Sequence, residues 1–122
     1  MKKIFYYTDV TPLLGRGDAA IEKMIRNLKT FKAASGEIKL VWHPWSGTEY
    51  YLELNDSDVI ERYHRIVEEY RTEAWGDMDE SSSFDKARET LLTCDGYYGD
   101  VSDLVYEAQK AGIPVMLQDI DV

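Results

Sequence analysis

The feature that most constrains the fold of this chain is a strict alternation of short apolar runs with amphipathic helical stripes. The runs rich in strand-forming residues are 3–8, 38–43, 94–99 and 114–118, with a very short and weaker one around Met78. Strict alternation with short connections predicts an α/β fold, a Rossmann-like three-layer sandwich in which five mostly parallel strands carry helices on both faces. The first run is apolar on both faces, so we expect it in the centre of a sheet of order 3-2-1-4-5.

Short polar residues mark where the predicted helices begin, because their side chains satisfy the free N–H groups of a helix start. The candidate caps are Asp18, Asp56 or Ser57, Ser82 and Ser102. We expect loops at residues 9–17 and 44–56, the second with a short turn of helix at 48–54. Open parallel sheets bind ligands beyond the carboxyl ends of their strands. The ligand-facing segments are therefore predicted at residues 8–17, 43–47, 77–83 and 99–103.

Composition bounds the class of protein. A chain of 122 residues makes one domain, taken as residues 1–122. Lys and Arg number 14 and Asp and Glu 23, and the net charge of −9 argues against nucleic-acid binding. No apolar run is long enough for a membrane span, and the start lacks a signal-peptide pattern, so we expect a cytoplasmic location. Cys94 is the single cysteine, which excludes an internal disulfide and a cysteine-based zinc site.

Two tryptophans flank a histidine where the second predicted strand ends. His43 has an ordinary pKa of about 6.5, so it is a candidate proton donor or phosphate ligand. Trp42 and Trp45 are candidates for stacking on a base or sugar, and Thr8 follows the neighbouring strand. The alternative is a structural histidine held between aromatic residues of the core.

The segment from Gly99 to Asp103 lies at a predicted strand-to-helix junction. Backbone amides at a helix start attract a phosphate, and the Ser102 hydroxyl adds a donor. In the alternative interpretation Ser102 is only a helix cap and Gly99 only a tight turn. Asp100 and Asp103 count against an anion here, because like charges about 4 Å apart cost roughly 4 kcal/mol at an effective dielectric constant of 20.

A short acidic pattern follows the weak strand. Asp77-Met78-Asp79-Glu80 matches the Asp-x-Asp arrangement of some metal sites, but Asp119-Ile120-Asp121 matches it as well. The pattern is common in a chain with 23 acidic residues, so no metal ion and no other cofactor is expected.

Several segments together resemble a known family. They are residues 3–14, 66–76, 95–100 and 112–118, and the run Tyr97-Tyr98-Gly99-Asp100 is the most telling. The chain resembles the C-terminal, nucleotide-binding half of GT-B-fold proteins, near bacterial CDP-glycerol glycerophosphotransferases and UDP-N-acetylglucosamine 2-epimerases. The closest likeness is to polysaccharide-biosynthesis members of this group in gut Firmicutes. The resemblance implies a Rossmann-like half that binds a CDP- or UDP-conjugate through its diphosphate.

The chain departs from that family at both expected sites. The family has Arg-Pro-His-Pro where this chain has His43-Pro44-Trp45-Ser46. In this ungapped alignment Trp45 replaces the catalytic histidine of the family. A shifted alignment would instead make His43 the equivalent of that histidine. Of two phosphate-binding serines, Ser102 is kept and the second is Asp103. The implied phosphate-binding set is Gly99, Asp100, Ser102 and Asp103.

The N-terminal half of a GT-B protein, which supplies the acceptor site, is not part of this sequence. We therefore expect a nucleotide-diphosphate-binding domain of a glycosyl- or glycerophospho-transferase-like protein that is catalytically incomplete alone. Its expected partners are a nucleotide-diphosphate conjugate and either an N-terminal GT-B half or a second copy of the chain. The alternative is a non-catalytic Rossmann-like module that binds a partner protein.

Overall fold

A computed structural model describes residues 1–118, so the Asp-x-Asp pattern at Asp119 lies outside the described residues. Strands and helices alternate along this part of the chain. In chain order they are β1 (Lys2–Thr8), α1 (Thr11–Arg16), α2 (Asp18–Ala33), β2 (Ile38–Pro44), α3 (Thr48–Leu54), α4 (Ile60–Glu73), β3 (Asp77–Met78), α5 (Phe84–Leu91), β4 (Gly96–Gly99), α6 (Asp103–Lys110) and β5 (Val115–Leu117).

The five strands form one parallel sheet in the order β3-β2-β1-β4-β5, which confirms the predicted fold and the central position of β1. Tyr7 of β1 lies opposite His43 of β2 and Gly99 of β4. The chain leaves β1 toward one edge of the sheet through β2 and β3, then returns to the other side of β1 through β4. The carboxyl ends of β1 and β4 therefore mark the point where the direction of strand order reverses.

Alternate side chains of the strands enter two separate cores, because successive residues of a strand point to opposite faces. On one face, Tyr6 and Trp42 pack with buried residues of α1 to α4, including Leu13, Ile21 and Tyr63. On the other face, Phe5 and Tyr97 pack with α5 and α6 through residues such as Ala87, Leu91 and Leu104. Helices thus lie on both faces of the sheet, as the alternation predicted.

Several helix boundaries differ from the expectation. Residues 9–17 were predicted as a loop, but α1 forms there, with Pro12 in its first turn and Gly17 at its end. Pro is accepted in a first helical turn because the N–H that it lacks has no partner inside the helix. The cap of α5 is Ser83 rather than Ser82, and its hydroxyl accepts a hydrogen bond from the N–H of Lys86. Asp18 begins α2 without capping it.

The cover of the sheet is uneven within residues 1–118. On the face that carries α2, an open groove of about 560 Å³ runs beside β4 and β5 and is mostly apolar. Phe31, Tyr98 and Met116 line it, and the Met116 side chain is 66% exposed. The opposite face of the same strands is covered by α6, whose Leu104 and Ala108 are buried there.

Candidate functional site

His43 lies at the carboxyl end of β2 and is almost completely buried. Its imidazole stacks on Phe5 and Tyr7, with ring centroids 5.4 and 5.8 Å apart and the rings within 23° of parallel. These contacts hold the ring in one plane against the sheet. The sequence left open whether His43 is structural or functional, and its aromatic packing alone fits the structural alternative.

A carboxylate directly after the neighbouring strand β3 adds a polar contact to this packing. His43 Nδ1 lies 3.4 Å from Asp79 Oδ2, and neither atom makes a hydrogen bond of good geometry within the described residues. Asp79 follows β3 directly, and its N–H donates to the carbonyl oxygen of Trp42. Burial lowers the pKa of His43, and the nearby Asp79 carboxylate acts in the opposite direction. The buried Ser81 hydroxyl also has no hydrogen-bond partner among residues 1–118.

His43 lines a cavity of about 190 Å³ on the face of the sheet that carries α5 and α6. The cavity lies between the carboxyl ends of β1 and β2 and the starts of both helices. Its lining residues are Tyr7, His43, Trp45, Ser46, Ser81, Ser82, Ser83, Phe84, Ala87, Ser102, Asp103 and Leu104. We expected His43, Trp45, Gly99 and Ser102 in one cleft; three of them share this cavity, and Gly99 does not line it.

Two helix starts meet at this cavity, each capped by a serine. Ser102 accepts a hydrogen bond from the N–H of Leu104, which confirms the predicted cap, and Ser83 caps α5 in the same manner. Ser102 also hydrogen-bonds the Tyr97 hydroxyl across 3.0 Å. The N–H groups of the first helical residues, Phe84 and Asp103, have no acceptor within the described part of the chain. Such groups and the helix dipoles favour an anion.

Trp45 borders the cavity beyond the end of β2. It is partly buried and its ring packs on Tyr51, with centroids 5.3 Å apart. The six-membered part of the indole lies over Gly47, where an added Cβ would come within 2.5 to 2.9 Å of three ring carbons. The ring therefore has a defined position beside the cavity, and only its uncovered surface can meet a ligand.

Trp42 and Thr8 do not share this cavity, and for Trp42 the expected ligand contact is wrong. The Trp42 side chain is 0% exposed, and its Nε1–H donates to Thr8 Oγ1 at 3.0 Å. Trp42 and His43 are consecutive in β2, so their side chains enter opposite cores. Thr8 is itself buried and faces a different cavity of about 180 Å³, next to α1 and α2.

Gly99 and Asp100 hold the strand ends together instead of lining the cavity of His43. The Asp100 carboxylate accepts from the N–H of Asp9 at 2.8 Å and from Gln118 Nε2 at 2.5 Å. The N–H of Asp100 donates to the carbonyl oxygen of Tyr7 at 3.0 Å. Burial raises the pKa of Asp100, although these two hydrogen bonds oppose the shift. The predicted phosphate-binding residues are thus divided between two faces, and only Ser102 and Asp103 lie with His43.

Gln118 extends this arrangement to Asn27, a partly buried polar residue of α2. Its Oε1 accepts from Asn27 Nδ2 at 2.9 Å, and the Tyr98 hydroxyl donates to Asn27 Oδ1 at 3.5 Å. The polar chain crosses from β5 to α2 at the place where strand order reverses. It joins Asp100 at the end of β4 and Gln118 after β5 to α2, on the face opposite the cavity of His43.

Asp79 and the serine run at residues 81–83 were not predicted as site residues. The available signals were their place after the third strand, in the ligand-facing segment 77–83, and the Asp-x-Asp pattern that includes Asp79. Within residues 1–118, no three His, Cys, Asp or Glu side chains gather closely enough to hold a metal ion. None of the helices described in residues 1–118 combines the length and apolar character needed to cross a bilayer.

Comparison of the chain with protein-family models, curated proteins and solved structures finds no match. The resemblance to the nucleotide-binding half of GT-B proteins therefore stays a prediction. The structure itself shows an α/β domain with a parallel five-stranded sheet. At the carboxyl edge of the sheet lies a small cavity that a buried histidine and two helix starts line.

Proposed function

We propose that this domain binds a phosphate-bearing ligand, in the form of a nucleotide-diphosphate conjugate, in the cavity of His43. The observation that carries the proposal is the convergence of the α5 and α6 starts on a buried histidine at the carboxyl edge of the sheet. Helix starts attract phosphate through unpaired N–H groups and the helix dipole. The expected context is a glycosyl- or glycerophospho-transferase-like protein of cell-surface polysaccharide biosynthesis.

The cavity is large enough to enclose the phosphate group of a nucleotide but not the whole ligand. Pockets that surround a whole drug-sized ligand measure roughly 300–1,000 Å³, and this cavity measures about 190 Å³. We place the phosphoryl group in the cavity that Ser83 and Ser102 line, with the base and sugar extending along the open edge. Trp45 lies at that edge, where its uncovered ring surface supports stacking.

One acidic side chain opposes anion binding. Asp103 is exposed and occupies the first position of α6, where its carboxylate benefits from the same helix dipole that a phosphate would use. Binding by the wild-type domain should therefore be weak. Asp103→Ser removes this repulsion and should tighten binding, while the loss of about 0.3–1 kcal/mol of helix stabilisation lowers the stability of the free protein slightly.

Calorimetric titration with CDP and UDP at low salt tests the proposal. Asp103→Ser should bind more tightly than wild type, and Ser102→Ala more weakly. Asp18→Ser is the matched control, because Asp18 begins α2 and does not line the cavity. Unchanged affinity in a folded Asp103→Ser variant would mean that phosphate does not approach α6. Insensitivity to millimolar concentrations of every CDP- and UDP-conjugate would favour the non-catalytic partner-binding module instead.

A further inference from the structure

We infer that His43 takes up a proton when the cavity binds a phosphate group, and that Asp79 is the positioning residue that orients its imidazole. The inference rests on the proposed function, since it concerns the same cavity. In this arrangement His43 contacts a phosphoryl oxygen, and Asp79 orients the ring, a role that the sequence did not suggest.

The geometry of the pair defines which nitrogen can meet a ligand. Nδ1 is the ring nitrogen beside Asp79, 3.4 Å from Oδ2, and the stacking on Phe5 and Tyr7 limits rotation of the ring. With Nδ1 committed to a carboxylate, the neutral imidazole carries its proton on Nδ1 and leaves Nε2 as an acceptor. Nε2 is then the nitrogen that gains a proton and donates it in a hydrogen bond to the ligand.

The pair is also incompletely satisfied without a ligand. His43 Nδ1, Asp79 Oδ2 and Ser81 Oγ are buried polar atoms that have no hydrogen-bond partner in the described part of the chain. The His43 side chain is only 5% exposed. Buried polar groups without partners are rare in proteins and cost stability. A small shift of Asp79 that closes the contact with Nδ1 as a phosphate binds would satisfy two of the three atoms.

Burial and the nearby Asp79 carboxylate have opposite effects on proton uptake by His43. The titratable groups around it are Asp79 after β3, Tyr7 of β1 and Asp103 of α6, and Tyr97 of β4 stacks on Tyr7. The residues of α5 that line the cavity, Phe84 and Ala87, are neutral. Burial raises the pKa of both tyrosines, so they stay uncharged at neutral pH.

Burial lowers the pKa of His43. A phosphate within about 4–6 Å adds a further negative charge that favours the imidazolium form.

The consequence concerns the class of ligand. A terminal phosphate carries two negative charges and offers more unshared oxygens than a phosphate esterified on both sides. An imidazolium in the cavity should therefore bind the terminal phosphate of free CDP or UDP more tightly than the doubly esterified diphosphate of a conjugate, and this difference should increase as pH falls toward 6.5. Where one proton is taken up, the affinity changes by about tenfold per pH unit.

The test measures protons as well as affinity. Calorimetric titration with CDP near pH 8, in two buffers of different ionisation enthalpy, gives the number of protons exchanged per bound ligand. We expect uptake that approaches one proton in wild type, none in His43→Gln and a clearly smaller number in Asp79→Asn. Ser102→Ala should weaken binding without changing the proton number, because its hydroxyl does not titrate. Binding of CDP without proton uptake by wild type overturns the inference and leaves the proposed function standing.

A second measurement needs no ligand. The ¹⁵N chemical shifts of the His43 ring report which nitrogen carries the proton in the free protein. We expect the Nδ1–H tautomer in wild type and a shift toward Nε2–H in Asp79→Ala, which has no acceptor oxygen at this position. The same tautomer in both proteins would show that Asp79 does not orient the ring. Absence of any binding of CDP or UDP would overturn the proposed function itself and, with it, the proton uptake by His43.

Discussion

Replacement of Gly99 by alanine should destabilise the domain strongly, although it adds only one methyl group. Gly99 ends β4 with φ of +135°, a conformation that side chains other than glycine rarely adopt. An added Cβ would lie 3.0 Å from both the carbonyl carbon and the nitrogen of Tyr7, and closer still to the Tyr7 carbonyl oxygen. These are backbone atoms of the central strand, so no side-chain rotation can relieve the overlap.

The magnitude follows from two costs. A non-glycine residue in such a backbone region costs about 1–3 kcal/mol. Movement of β4 away from β1 would also weaken the hydrogen bond from the N–H of Asp100 to the Tyr7 carbonyl oxygen, at about 1 kcal/mol. We expect Gly99→Ala to lower the free energy of unfolding by about 3 kcal/mol, a large fraction of the roughly 5–15 kcal/mol of a typical domain.

Urea unfolding followed by circular dichroism measures this change. Gly15→Ala provides the control, because Gly15 lies inside α1 with nothing within 4 Å of an added Cβ. That variant should gain about 0.5–1 kcal/mol from the higher helix propensity of alanine. If Gly99→Ala unfolds within about 0.5 kcal/mol of wild type, the close approach of β4 to the carbonyl group of Tyr7 is not a constraint in solution.

Three further predictions concern side chains at the same edge. Asp100→Ala leaves two hydrogen-bond donors without their acceptor, so urea unfolding should show a loss of about 1–3 kcal/mol, with a smaller loss in Asp100→Asn, which keeps one acceptor oxygen. Because burial lowers the pKa of His43, the unfolded chain takes up a proton at about pH 6.5 before the folded one does. Stability should therefore fall between about pH 7.5 and pH 5.5, and His43→Gln should remove that part of the dependence. Ser83→Ala should cost about 1 kcal/mol through the loss of a helix cap, whereas equal stabilities of Ser83→Ala and Ser82→Ala would contradict the assignment of the cap.

The strand order could be predicted from the sequence because it depends on strong, local signals. Residues 4–7 are apolar on both faces, which only a central, doubly covered strand tolerates. The helical stripes between the runs then supply the crossover connections of a parallel sheet. Helix α1 was missed because Pro12 and Gly15 both indicate a loop by composition. In the structure Pro12 lies in the first turn, where proline is accepted, and Gly15 is tolerated in a short helix.

The division of the site between two faces follows from a rule that the sequence already contained. Trp42 and His43 are neighbours in a strand, so only one of them can face a given cavity. The same alternation separates Thr8 from Tyr7, which lies opposite His43. All of these residues lie at the carboxyl edge of the sheet, as their places at strand ends predict. Their side chains nevertheless enter two different faces of the sheet, so they cannot form one site.

The partner of His43 could not be predicted in the same way. Its identity depends on the register between β2 and a strand of only two residues, in which Val41 lies opposite Asp77 and Trp42 opposite Met78. That register brings the next residue, Asp79, to His43, and a shift by one residue would bring Glu80 or Met78 instead. A two-residue strand has no alternation of its own to define the register. The register depends on the surroundings of β3, among them the Tyr70 hydroxyl, which donates to the carbonyl oxygen of Asp77 at 2.5 Å. Long-range packing of α4 on this edge therefore selects the carboxylate that meets the histidine, and only the three-dimensional arrangement contains that information.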